Sequence, residues 1–168
     1  MVDKLLQLSR LEAVNEYWPA TTVDLPTMAE EAAMLLMPEA NRRNLKLIVE
    51  GESLQATIPG KQLFRILVNL LQNAVRHTTD QVVIRVDPEV PGAAWAIHIE
   101  YNGPGLADEE REAVFERFFT GTNGVTGLGL AICRQIAARL NGEWGVDLFP
   151  LGAGRSAARF SFRKKVGE

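Results

Sequence analysis

Gln62 to His77, QLFRILVNLLQNAVRH, is the stretch whose reading decides the fold. Leu63, Ile66, Leu67, Leu70, Leu71, Ala74 and Val75 recur at helical spacing and predict one broad apolar face. Asn69 and Asn73 stand four apart, so on a helix they share a face one turn from each other. Arg76 and His77 follow at the C-terminal end. Asparagine is a mediocre helix former because its amide competes for nearby backbone groups. Two of them in register inside a leucine-rich helix therefore need a reason. Either both are buried or boundary amides bonded to backbone, or they form a polar strip facing a ligand. In the second case their oxygens are available to a hard cation and its water shell.

Upstream of this helix, Met1 to Glu16 carries Met1, Leu5, Leu8 and Leu11 along one side, a narrow seam suited to a helical hairpin or coiled coil. Tyr17-Trp18-Pro19 ends it. Ala20 to Asp24 predicts a short strand, and Leu25-Pro26-Thr27 opens a helix with Glu30 and Glu31 favouring its positive end. Met28, Ala32, Leu35 and Leu36 form that helix's expected buried face, and Pro38 is expected to stop or kink it. Leu45 to Val49 and Leu54 to Ile58 read as strands joined by the hairpin-like Glu50-Gly51-Glu52-Ser53.

Downstream, Gln81 to Asp87 and Ala94 to Glu100 alternate as antiparallel neighbours around a Pro88 to Gly92 turn. Asp108 to Phe119 predicts a helix, and Gly121 to Gly127 a mobile loop. Leu128 to Leu140 predicts a helix ending at Asn141-Gly142, and Trp144 to Phe149 with Ala157 to Phe162 close the sheet. Strands and helices come in blocks, without regular βαβ alternation. The expected class is therefore α+β, a two-layer sandwich with a mixed, mostly antiparallel sheet packed on helices.

A chain of 168 residues is about one domain, and its 46% apolar and 23% charged residues are ordinary for a globular protein. A net charge of −3 without a basic cluster predicts no nucleic-acid partner. Cys133, the single cysteine, lies in an apolar helical run and is expected in the core. No signal peptide and no apolar run of spanning length stand in the sequence. The expected compartment is the cytoplasm, with any membrane attachment left to segments upstream of Met1.

Two glycine groups carry the chemistry. Tyr101-Asn102-Gly103-Pro104-Gly105 follows a strand directly, and Thr126-Gly127-Leu128-Gly129-Leu130 opens a helix. Glycines at a helix start let a polyphosphate reach backbone N–H groups at the positive end of the dipole. No lysine follows them as in a Walker A loop, and neither group fits the dinucleotide fingerprint. In the order N-x-x-x-N-A, N-G-P-G, F-E-R-F-F, G-L-G-L-A-I, the pieces become specific. Over about residues 20 to 163 the chain resembles the catalytic ATP-binding domain of two-component sensor histidine kinases, within the wider Bergerat-fold group that includes gyrase.

The resemblance implies ATP and Mg²⁺ as cofactors. By it, Asn73 is the metal-ligating amide, Asn69 lies beside it near the phosphates, and Arg76 and His77 meet phosphate oxygens. Gly103 and Gly105 form the turn that lets adenine approach. Phe115, Phe118 and Phe119 resemble an aromatic box anchoring a lid, while Thr126, Gly127, Leu128, Gly129 and Leu130 form the hinge and the phosphate-facing helix start. Residues 1–18 resemble the end of a dimerisation-hairpin helix with its linker, and 19–168 the catalytic domain. The implied partners are the dimerisation and phosphoacceptor hairpin of the same kinase and a response regulator, and the full-length protein is expected to be anchored in the inner membrane.

The chain departs from the family pattern in several places. His77 and His98 are the only histidines and neither stands in an acceptor context, so the phosphoacceptor is not in this chain. Arg65 occupies the place where ATPase cousins put a water-activating glutamate and cannot act as a base. Val125 replaces the first glycine of the second group. Tyr101 stands where the family has its adenine-reading aspartate, and alternation with Ile97 and Ile99 turns it toward the helix layer. Two functions follow: a kinase domain delivering the γ-phosphate to a histidine on a separate hairpin, or a nucleotide-impaired pseudokinase serving as a protein-interaction module. A substitution introduced at residue 101 of an ordinary kinase would read the same way.

Overall fold

The computed structural model describes residues 17–104, 133–152 and 155–166. The expected helices at Met1–Glu16 and Asp108–Phe119, the loop at Gly121–Gly127 and the first turn of the Leu128 helix lie outside these.

In chain order the described elements are β1 (Thr21–Asp24), α1 (Leu25–Arg42), β2 (Lys46–Glu50), β3 (Gln55–Ile58), α2 (Gly60–His77), β4 (Gln81–Val90), β5 (Ala94–Pro104), α3 (133–139), β6 (Glu143–Gly152) and β7 (Arg155–Lys165). Five strands form a mixed sheet in the order β2-β4-β5-β7-β6, with β2 and β4 parallel and the other pairs antiparallel. The α+β two-layer sandwich expected from the sequence is the architecture found.

Strand alternation separates the sheet's faces. Val82, Ile84 and Val86 lie opposite Tyr101, Ile99 and Ile97, with Ala158, Phe160 and Phe162 next to those on β7. These side chains join Leu63, Ile66, Leu67, Leu70, Leu71 and Ala74 of α2 in one buried core. Each fully buried leucine or isoleucine there contributes roughly 1.5–3 kcal/mol. The opposite face is polar: Arg85 pairs with Glu100, Arg159 Nε lies 3.1 Å from Glu100, and Arg163 Nε lies 3.0 Å from Glu89. Cys133 is buried in α3, as expected, against α2.

Asp24 caps α1, its Oδ2 accepting from Thr27 N at 3.2 Å and Thr27 Oγ1 at 2.6 Å. Its Oδ1 accepts from Ser53 Oγ at 2.6 Å and Leu54 N at 3.1 Å. The Ser53 and Thr27 hydroxyls hold this carboxyl below the usual range. The C-terminal ends of α1 and α3 close alike, unlike that of α2, where Thr78 is extended. Asn44 and Asn141 adopt φ 57, and Leu45 N→Ala40 O (2.8 Å) and Gly142 N→Ala137 O (3.0 Å) span the last turn. The Asn141-Gly142 stop therefore falls where the sequence put it.

The expected hairpin between residues 45 and 58 does not form. β2 pairs in parallel with β4, while β3 pairs antiparallel with β1, Thr21 opposite Ile58. The cause is the grip of Asp24 on Ser53 and Leu54, reinforced by Leu25 N→Leu54 O at 2.9 Å, which draws the chain toward β1. Gly51 makes the departure with φ +130, its would-be Cβ only 2.8 Å from Val86 O.

Three expectations about α1 also change. Of the two outcomes expected at Pro38, a stop is the one that does not occur, since the helix runs on to Arg42. Pro38 and Met34, whose carbonyl loses its intrahelical donor, both lie on the exposed side, where water can serve that carbonyl. Leu35 is 61% exposed; the buried stripe is Met28, Ala29, Ala32, Ala33, Leu36 and Ala40, and Leu35 falls outside it. Glu30 and Glu31 fall beyond the first turn, which holds no acidic residue. Finally, β4 extends through Pro88 to Val90 with a register shift after Asp87, so its turn lies at 91–93.

Candidate functional site

The last turns of α2 meet the end of β5. Thr78, which follows the helix, donates from its hydroxyl to Gln81 O at 2.7 Å and lies 3.2 Å from Asn102 Oδ1. Thr79 N donates to Asn102 O at 3.1 Å. These bonds tie the asparagine helix to the Tyr101-Asn102-Gly103 segment, bringing together residues more than twenty positions apart in the chain.

The two asparagines have different surroundings. Asn69 is half-buried, and its Nδ2 donates to Arg65 O at 2.9 Å, one turn back. For Asn69 the amide-to-backbone reading therefore accounts for the residue. Asn73 is 4% exposed, and both its Oδ1 and Nδ2 are buried with no hydrogen-bond partner. A buried amide left with neither bond is costly, about 1–3 kcal/mol per group, and calls for an explanation. A hard cation accepts such an oxygen readily, in company with phosphate oxygens and water. The donor set therefore fits Mg²⁺ held between one amide and a polyphosphate. Among the described residues no cluster of three His, Cys, Asp or Glu could hold a metal without such help.

Arg76 is exposed and His77 half-buried at the same helix end. Arg43 was not singled out by the sequence, yet it reaches across from the end of α1 to cap this terminus. Its guanidinium donates to Val75 O, to Arg76 O at 3.4 Å and to Thr78 O at 3.3 Å. Its charge offsets the negative end of the helix dipole, next to a place where anions would otherwise be repelled. Only a basic residue just past α1 signals it in the sequence, and that signal is too common to use.

Tyr101 points to the inner face, as alternation predicted, and is 6% exposed. Its ring stacks on Phe160, with centroids 6.3 Å apart and planes 12° from parallel. Gly103 is paired within β5, opposite Ser156. Gly105, Phe115, Phe118, Phe119, Val125, Thr126, Gly127, Leu128, Gly129 and Leu130 lie outside the described residues. His98 is on the opposite, polar face, its Nδ1 2.7 Å from Ser161 Oγ and its Nε2 3.5 Å from Asp87 Oδ2. It has no part in the α2 site. Burial and the Arg159 charge push its pKa down against the opposing pull of Asp87.

Residues 59–166, which contain Asn69, Asn73, Arg76, His77, Tyr101 and Gly103, match the family model for the histidine kinase-, DNA gyrase B- and HSP90-like ATPases. The chain belongs to that family. Among its relatives is the sensor-like histidine kinase SenX3 of Mycobacterium tuberculosis, 32% identical over 150 residues, covering 84% of this chain and 36% of SenX3. The structure is similar to that of full-length ShkA in complex with AMPPNP, with a TM-score of 0.78 and 28% identity over 96% of this chain and 34% of ShkA. It is also similar to the mycobacterial sensor histidine kinase MprB, with a TM-score of 0.65 and 27% identity over 86% of this chain and 97% of that one. The chain spans about a third of the length of the curated relatives it matches. Among the described residues no helix is long and apolar enough to cross a membrane.

Proposed function

We propose that this chain is the catalytic ATP-binding portion of a sensor histidine kinase, which supplies the γ-phosphate of ATP to a histidine on a hairpin domain. The observation that carries the reading is Asn73, whose amide is buried and unbonded at the helix end tied to Asn102. In this reading Asn73 ligates Mg²⁺, Asn69 stands beside it, and Arg76 and His77 face phosphate oxygens. The metal, when bound, neutralises charge on the phosphates; the protein's part is positioning. Arg65 offers no base for water, which favours transfer to a partner over hydrolysis. Gly105 and Thr126 to Leu130 complete the phosphate and adenine contacts. Residues 1–18 form the end of the hairpin helix and linker, and a response regulator receives the phosphate afterwards.

Tyr101 bears on affinity. A neutral phenol stacked on Phe160 replaces a charged acceptor for the adenine amino group, and losing such an acceptor costs about 1.5–3 kcal/mol, or roughly ten- to a hundredfold in affinity. The alternative function, a protein-interaction module with a closed adenine site, follows from the same side chain. Titration calorimetry of the chain and of Tyr101→Asp with Mg-ATP and Mg-GTP separates the two. The kinase reading expects measurable ATP binding that Tyr101→Asp strengthens at least about tenfold, with adenine preferred. No binding by either protein would remove the kinase reading, and tight binding weakened by Tyr101→Asp would make Tyr101 itself the adenine contact.

A further inference from the structure

The carbonyl end of a helix is a poor place for a polyphosphate, because the negative end of the dipole repels anions within the last turn. Asn73, Arg76 and His77 nevertheless all lie in the last five residues of α2. The carbonyls left over at that end have identifiable donors. Ala74 O accepts from Thr78 N at 2.8 Å. Val75 O accepts from the Arg43 guanidinium, as does Arg76 O at 3.4 Å, and the same group reaches Thr78 O at 3.3 Å just past the helix.

Among the described residues no carboxylate stands within ion-pair distance of Arg43, whereas the adjacent Arg42 is paired with Glu39. The charge of Arg43 is therefore delivered to the carbonyls of α2 and cancelled by no acid among those residues. Arg43 also bears on the joint between α2 and β5, since the Thr78 that it holds lies 3.2 Å through its hydroxyl from Asn102 Oδ1. We propose, on the nucleotide reading of this site, that Arg43 is a positioning residue that sets how many phosphates the site tolerates. It acts through the carbonyls of Val75, Arg76 and Thr78, turning an anion-repelling helix end into one that accepts a triphosphate. Removing its charge penalises the β- and γ-phosphates and spares a nucleoside monophosphate. A side chain that served only to hold the joint together would instead matter equally to every nucleotide.

The test is ¹⁵N-resolved NMR titration of the whole chain with ATP and with AMP, Mg²⁺ present, for the native protein, Arg43→Met and Arg43→Lys. Arg43→Met should weaken ATP about three- to fivefold at low salt, the effect of one charge at a helix terminus, and AMP less than about twofold. Arg43→Lys keeps the charge and should hold ATP within about twofold of the native value. Salt at about 0.5 M should shrink the Arg43→Met loss by screening. Unchanged Trp95 and core amide signals establish that the variants fold. Equal losses for ATP and AMP, a loss that Arg43→Lys does not relieve, or no loss at all would each overturn the role of Arg43 and leave the nucleotide reading standing. A native chain that binds neither nucleotide would overturn that reading, and the role of Arg43 with it.

Discussion

Replacing Asn73 with leucine should make the protein more stable and less able to bind nucleotide. Leucine keeps the branched shape of asparagine while removing two buried polar atoms that have no partner. Each unsatisfied group costs about 1–3 kcal/mol, and the bulk of the extra methyl groups in a packed helix interface takes back part of the gain. The expected net gain for the free protein is about 1–2 kcal/mol, or roughly 2–4 °C in Tm per kcal/mol for a chain of this size. Asn69→Leu is the control. It forfeits the bond from Nδ2 to Arg65 O and should lose about 0.5–1.5 kcal/mol. Urea unfolding of the three proteins, without ligand and with Mg-ATP at about a hundred times its dissociation constant, reads both quantities. The native protein should gain about 2.7 kcal/mol from that ligand, and Asn73→Leu almost nothing. Destabilisation of the free protein by Asn73→Leu, or an undiminished response to Mg-ATP, would refute the assignment of Asn73 to the metal.

Other perturbations follow from the same structure. Because the folded pKa of His98 lies below its ordinary value of 6.5, the folded state binds fewer protons than the unfolded chain. Stability should be full above pH 6.5 and fall as pH drops below it, and His98→Gln should flatten that slope in pH-dependent urea melts. Arg43→Met removes the donors to Val75, Arg76 and Thr78 carbonyls and should cost about 1 kcal/mol. Hydrogen exchange should show the loss concentrated at the C-terminal turn of α2. Gly142→Ala would drive a Cβ into the buried ring of Phe162, so a loss of about 3 kcal/mol is expected in thermal melts. A neutral result there would mean that the ring can move aside.

Local signals set much of this protein before any tertiary contact. The α2 stripe from Leu63 to Val75, the Asn141-Gly142 stop and the inward alternation of Ile97, Ile99 and Tyr101 depend on period and on single-residue conformational preference, which a sequence displays directly. The order of the asparagine and glycine motifs carried the resemblance to the family. What the chain order could not convey was partner choice. Strands at 46–50 and 55–58 look like a hairpin because they are adjacent, yet the Asp24 carboxylate draws the second one to β1. Asn69 and Asn73 look equivalent by spacing, and only packing leaves one bonded to Arg65 O and the other bare. Arg43 carried only a common signal, a basic residue just past α1, since its role arises from carbonyls supplied by a distant segment. Helical and strand periods are properties of a few consecutive bonds. Strand pairing, burial and unmet hydrogen bonds are set by which distant segments close around a residue.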